Sequence, residues 1–211
     1  MAGLFITFEG IDGCGKSTQL RAACSHVEGK GFACVTTREP GGTPIGENIR
    51  ELLLSREYGE MCNAGELLLY LAARAQHVAE KIRPAIASGA VVLCDRFQEA
   101  TFAYQGYGRG YDVATLERLN EFATAGLAPD HTFVFDVSVP TGQKRLRQAG
   151  KEPDRLEGGA REFHERTREG YRALARAHPE RMSLLDAERP AEKVAGDVAA
   201  VLDGLFARRK P

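Results

Sequence analysis

The sequence predicts an α/β protein: a parallel sheet of five strands with helices on both faces, a three-layer arrangement in a single domain over residues 1–211. Two observations carry that expectation. Apolar, strand-like runs recur at residues 4–8, 32–36, 90–94, 132–137 and 182–185, with helical patterns between them, and such alternation builds parallel sheets covered on both sides. The first run also opens directly onto a glycine-rich loop with helical composition after it, the strand, loop, helix order of a phosphate-binding loop.

Bulk properties narrow the classes. A chain of 211 residues, 43% hydrophobic and 27% charged, suits one domain with a substantial core. Its net charge of −1 gives no general attraction to nucleic acid or a membrane surface, so neither is an expected partner. No apolar run nears the roughly 20 residues of a membrane span, and the first apolar stretch is too short for a signal peptide, so the expected location is cytoplasmic. Cys14, Cys24, Cys34, Cys62 and Cys94 show no C-x-x-C spacing and are expected as reduced, mostly buried thiols. Cys14, inside the loop, is expected to be open to alkylation.

Residues 4–8 form the first expected strand. Gly10, Gly15, Lys16 and Ser17 then satisfy G-x-x-x-x-G-K-[ST]. Glycines at 10, 13 and 15 let the backbone turn successive N–H groups inward around an anion, and the helix beginning near Lys16 aims its positive end at the same place. Lys16 can reach terminal phosphate oxygens, and the Ser17 hydroxyl is placed for Mg²⁺.

The second strand ends in Arg38-Glu39-Pro40-Gly41-Gly42-Thr43, a break at the carboxyl edge where open α/β sheets bind ligands, so Arg38 is a candidate anion contact as well as a surface charge. A helix at 45–54 follows, bearing Arg50, and then a long helix at 66–86. On the latter Tyr70 and Arg74 share a face. They read either as a core aromatic beside a snorkelling arginine or as a ring stacked on a base with a guanidinium at the base's edge.

The third strand ends in Asp95-Arg96-Phe97. Asp95 is the expected carboxylate near Mg²⁺ and Arg96 is aimed at a second phosphate. Thr101, Tyr104 and Gln105, with the loop 106–110, are groups of the kind that read a nucleobase. The fourth strand yields at Pro140 to a helix, and then to a basic, glycine-bearing stretch with Arg145, Arg147, Lys151 and Arg155. That stretch reads as a solvated face or as a lid over transferring phosphates. Phe163, Tyr171, Leu174 and His178 mark one core-packed helix face, and Val194, Val198, Val201, Leu202, Leu205 and Phe206 another, with Pro190 expected at its first position. A guanine-reading N-K-x-D is missing, and Asp95 is followed by Arg96 rather than a second acid, which argues against a GTPase switch and an ATP-driven assembly subunit.

In order along the chain, FEGIDGCGKST, TREPGGT, YLAAR, DRF, AYQG, DRLE and Asp186-Ala187 resemble the bacterial thymidylate kinases, among the nucleoside-monophosphate kinases of the P-loop proteins. The resemblance implies a P-loop kinase fold with a short lid at about 147–159 and transfer of the ATP γ-phosphoryl group to dTMP. It implies that Gly10, Ile11, Asp12, Gly13, Cys14, Gly15, Lys16, Ser17 and Thr18 hold ATP, with Asp186 and Ala187 near its adenine, and that Ser17 and Asp95 serve Mg²⁺. It implies Asp12, Arg38, Tyr70, Arg74, Arg96, Thr101, Tyr104 and Gln105 around dTMP, with Asp12 on the sugar 3′-hydroxyl and Tyr104 crowding the 2′ position. Tyr70 stands where the family more often has phenylalanine, which preserves stacking. The loop carries no arginine, so the cation for the transferring group is expected from the lid, at Lys151, Arg155 or Arg147, beside Lys16 and Arg96. A homodimer pairing helices that include residues 64–86 is also implied.

Overall fold

A computed structural model describes residues 3–150 and 161–208 of the chain. Its strands, β1 (Leu4–Glu9), β2 (Cys34–Arg38), β3 (Val91–Asp95), β4 (His131–Asp136) and β5 (Met182–Asp186), form one parallel sheet in the order β2-β3-β1-β4-β5. The expected α/β layering holds. In β1 and β3 successive side chains go to opposite faces. Leu4, Ile6 and Phe8 pack with Leu20, Ala23 and Val27 of α1 (Lys16–Gly29), Tyr171 of α8 (Arg161–Ala177) and Val198 and Leu202 of α9 (Ala191–Ala207). Phe5, Val92 and Cys94 turn the other way, onto Phe97, Val78 and Ile82.

Chain direction positions the site. From β1 the chain crosses outward to β2 and returns to β3; from β3 it crosses to the opposite side at β4. Adjacent strands β1 and β3 therefore feed loops that diverge, and this leaves a crevice at their carboxyl ends. Both the glycine-rich loop and Asp95-Arg96 emerge there.

Several boundaries depart from the sequence reading. β2 starts at Cys34, and Phe32 instead packs on Phe206 of α9 with ring centroids 4.6 Å apart. The long helix begins earlier, as α3 (Asn63–His77), and gives way to a π-helical turn at Val78–Ile82 before α4 (Arg83–Ala87). Pro84, without an N–H, cannot continue the α-helical ladder, and the wider turn absorbs the break. A second π-helical stretch, Phe102–Gly108, follows the short α5 (Gln98–Thr101) and carries Tyr104 and Gln105 inward. α2 (Pro44–Leu54) and α6 (Val113–Thr124) flank α3, and α7 (Val139–Gln148) follows β4. Pro190 occupies the cap before α9 rather than its first turn, and α8 ends before His178.

The thiols also differ from expectation. Cys14 is only 2% exposed and packs into the core behind the loop, and burial raises its thiol pKa, so it is not presented for alkylation. Cys62 is exposed, its Sγ accepting from Gly65 N at 3.4 Å as the cap of α3.

Candidate active site

The glycine-rich loop takes its shape from positive φ angles of 134° at Gly10, 76° at Gly13 and 98° at Gly15, conformations open to glycine and resisted by residues with a Cβ. Space agrees at two of them: a Cβ on Gly10 would sit 2.5 Å from Phe135 O, and one on Gly13 2.2 Å from Gly142 O of α7. Lys16, buried in the first turn of α1, folds back so that Nζ donates to Gly10 O at 3.0 Å and Ile11 O at 3.1 Å. Ile11 itself packs in the core, so only its backbone faces the loop's interior surface. Ser17 Oγ donates to Asp95 Oδ2 at 3.3 Å, joining the start of α1 to the end of β3.

Arg96 holds the middle of the site. Its φ of 71° places it in the left-handed region, and its backbone N–H donates to Phe8 O at 3.0 Å. Nη2 donates to Asp12 Oδ1 at 2.5 Å and Tyr104 Oη at 3.2 Å; Nη1 donates to Gly10 O and Tyr171 Oη, both at 3.0 Å. The Tyr104 hydroxyl donates in turn to Asp12 Oδ2 at 2.9 Å. Burial alone would raise the Asp12 pKa, but Arg96 and then Lys16 outweigh it and hold this carboxyl well below the usual range. Behind Arg96, the Tyr171 hydroxyl donates to Glu9 Oε2 at 2.8 Å, and burial, with the nearby Glu99 carboxylate, pushes Glu9 up to about 8.

Across the crevice, Arg74 is 1% exposed, which removes the snorkelling reading. Its Nε donates to Glu39 Oε2 at 2.7 Å, Nη1 to Thr101 Oγ1 at 2.7 Å and Asn120 Oδ1 at 2.5 Å, and Nη2 to Phe97 O at 2.8 Å. His77, also buried, links Glu39 Oε1 to Thr37 Oγ1 and so anchors the segment after β2. Arg38 leans outward, donating to Glu47 Oε2 at 2.7 Å, with its side chain about half exposed.

These groups share one cavity of about 570 Å³, whose walls include Asp12, Gly13, Gly15, Lys16, Ser17, Thr18, Arg38, Tyr70, Arg74, Asp95, Arg96, Thr101, Tyr104 and Gln105. All eight residues expected on dTMP line it, whereas Gly10, Ile11, Cys14, Asp186 and Ala187, expected on ATP, do not. A smaller cavity of about 260 Å³, lined by Cys14, Gly15, Thr18, Gln19, Arg145, Ala187 and Arg189, adjoins the start of α1. Ala187 lies on it, whereas Asp186 is an exposed residue at the end of β5 whose Oδ1 accepts from Glu188 N. Lys151 and Arg155 fall outside the described residues, as does most of the expected lid; Arg147 lies in the last turn of α7 and is not among the residues lining the cavity. Arg50 lines it and donates to Pro40 O at 3.0 Å, a role that its place on an amphipathic helix did not disclose.

A crevice with a phosphate loop on one wall and a cationic, aromatic pocket on the other fits a transfer between two nucleotides. The thymidylate kinase family model matches residues 8–198. The chain belongs to the thymidylate kinase family. It is similar to the thymidylate kinase of Pelotomaculum thermopropionicum, with 50% identity across 94% of this chain and 92% of that one. It is also similar to that of Pseudomonas putida, with 49% identity across 99% of each. A crystal structure of thymidylate kinase from Ehrlichia chaffeensis superposes with a TM-score of 0.78 at 34% identity, covering 96% of this chain and 99% of the other. As a thymidylate kinase family member the chain is a phosphotransferase that uses ATP as donor.

Proposed function

We propose that the chain transfers the γ-phosphoryl group of ATP to dTMP, giving dTDP and ADP in the synthesis of dTTP. The observation that carries this reading is the single cavity in which Arg96 stands between the phosphate loop and the pocket lined by Tyr70, Arg74 and Gln105. Phosphoryl transfer needs in-line placement and charge neutralisation rather than covalent participation by the protein. In this reading Lys16 and the loop N–H groups take the donor's phosphates and Arg96 the acceptor's phosphate, with Arg38, which lines the same cavity while paired with Glu47, as a second cation for it. The attacking oxygen already belongs to a phosphate, so no strong base is required. Asp12, kept ionised by its cationic neighbours, is a ready acceptor for the sugar 3′-hydroxyl. Tyr70 offers a face to thymine, while Arg74 and Gln105 offer its edge hydrogen-bond partners.

Mg²⁺ suits the donors present. Ser17 Oγ and Asp95 Oδ2 are hard oxygens 3.3 Å apart, and among the described residues there is no cluster of three His, Cys, Asp or Glu side chains to cage an ion. Magnesium commonly takes one or two protein oxygens and fills the rest of its shell with water and phosphate. Bound there, it would offset phosphate charge. No helix among the described residues is long and apolar enough to cross a membrane, and the reading places the enzyme in the cytoplasm as a homodimer. Support for the dimer comes from Leu68 on α3, 59% exposed, and Phe122 on α6, 88% exposed, apolar side chains on neighbouring helices.

A coupled ADP-release assay with dTMP, dUMP, CMP and AMP as acceptors tests the proposal. dTMP is expected to give the highest kcat/KM, and preference for any of the other three would overturn the substrate assignment.

A further inference from the structure

Gln105 is 2% exposed and reaches the main cavity from the π-helical turn after α5. Its amide has one donating end and one accepting end, and the two look alike in shape. Behind it lies Glu66 of α3, fully buried, whose Oε1 accepts from Gln105 Nε2 at 3.2 Å. Arg109 clamps the same carboxylate, Nε to Oε1 at 2.9 Å and Nη2 to Oε2 at 2.8 Å, and its guanidinium rests over the Phe163 ring, 5.5 Å from the centroid. A carboxylate paired with a guanidinium fork has only lone pairs to offer. The Gln105 amide can therefore turn only its nitrogen toward Glu66. Its carbonyl oxygen is left to the cavity, and no hydrogen bond to that oxygen is found among the described residues.

We propose that Glu66, held by Arg109, fixes the orientation of the Gln105 amide so that the site shows an acceptor, and thereby selects pyrimidines with a hydrogen on N3 over those with a lone pair there. The inference rests on the reading that Gln105 faces the acceptor nucleotide's base. Thymine and uracil carry N3–H and a carbonyl at C4. Cytosine carries a bare N3 and an amine at C4, so a carbonyl oxygen opposite N3 sets two lone pairs against each other. A freely turning glutamine would lose that discrimination, because its NH₂ end suits cytosine equally well. Glu66 touches no substrate; it is a positioning residue that acts through Gln105.

The test measures kcat/KM for dTMP, dUMP and dCMP in the wild type, Glu66→Gln and Glu66→Asp. Glu66→Gln replaces an acceptor-only group by one that can also donate. Glu66→Asp keeps a carboxylate for Arg109 while drawing it one methylene away from Gln105, which preserves the ion pair should the first variant fold poorly. In both, the dTMP to dCMP ratio is expected to fall by about tenfold or more while the dTMP to dUMP ratio holds, since one oriented hydrogen bond carries discrimination of at least that order. In a Gln105→Leu background, Glu66→Gln is expected to leave the dTMP to dCMP ratio unchanged, because no amide remains to orient. Parallel losses on all three acceptors, or an unchanged dTMP to dCMP ratio in the single variants, overturn the proposal. A wild type that prefers an acceptor other than dTMP would instead overturn the substrate reading beneath it.

Discussion

Arg96 bears side-chain and backbone duties at once. A non-glycine residue in the left-handed region costs on the order of 1 kcal/mol or more, and here the backbone bond to Phe8 O and four side-chain partners hold it in place. Removing it takes away a fixed cation, so Arg96→Ala is expected to lower turnover about a hundredfold or more in the coupled assay at saturating dTMP; near-normal turnover would exclude it from the phosphate clamp. Glu9, one step behind, gives a pH prediction. Burial and Glu99 raise its folded pKa to about 8, above the ordinary glutamate value of roughly 4.3, so the folded protein holds a proton that the unfolded chain releases. That contribution is complete below the unfolded value and is lost as pH rises through about 8. Glu9→Gln, which imitates the neutral carboxyl, is expected to melt near the wild type at pH 5 and above it at pH 8.5; equal differences at both pH values would show that Glu9 ionises normally. Lys16 and Ser17 were legible because they complete a compact loop motif after β1, and Asp95 and Arg96 because they sit at the end of β3. Glu9 with Tyr171 was not, since its partner is 162 positions away and only the fold brings α8 under the loop.

At the level of elements, the apolar runs found every strand: β1, β3 and β4 are buried along nearly their whole length and need continuous hydrophobic character, while the edge strands β2 and β5 are partly exposed and keep a weaker version of it. The π-helical turns were invisible for the complementary reason: one extra residue in a turn barely alters an apolar stripe over so short a stretch. Those turns matter to the site, because the second aims Tyr104 and Gln105 at the cavity. α2 shows how tightly a local signal can act. Thr43 Oγ1 accepts from Gly46 N at 3.1 Å with Pro44 in the first turn, directly after the glycine pair that follows Arg38. Thr43→Ala is expected to destabilise the fold by about 1 kcal/mol, read from urea denaturation, with the loss concentrated in the segment that carries Arg38 and Arg50. An unchanged midpoint would mean that packing alone fixes the start of α2.

For the whole molecule, the proposed pairing predicts that Phe122→Glu places a charge on an otherwise apolar contact and shifts the protein toward monomer in sedimentation equilibrium; a wild type that sediments as a monomer would remove the dimer. This surface was half legible: the helix could be found from its pattern, but which of its apolar residues face outward depends on where α2 and α6 sit against it. The site's chemistry was legible in kind and incomplete in depth, for its cations lie in compact motifs, while the buried acids Glu39 and Glu66 meet the groups they hold, Arg74 and Gln105, across 35 and 39 positions of the chain. The distribution of thiols carries one practical consequence. Cys14 and Cys94 are buried, Cys24 and Cys34 are half-buried, and burial together with Cys24 pushes the Cys34 thiol up, whereas Cys62 stands exposed at the start of α3. The chain thus brings its own single attachment point: a maleimide fluorophore carried there, at the edge of the helix proposed to pair, would report assembly by energy transfer between subunits without a residue having been changed.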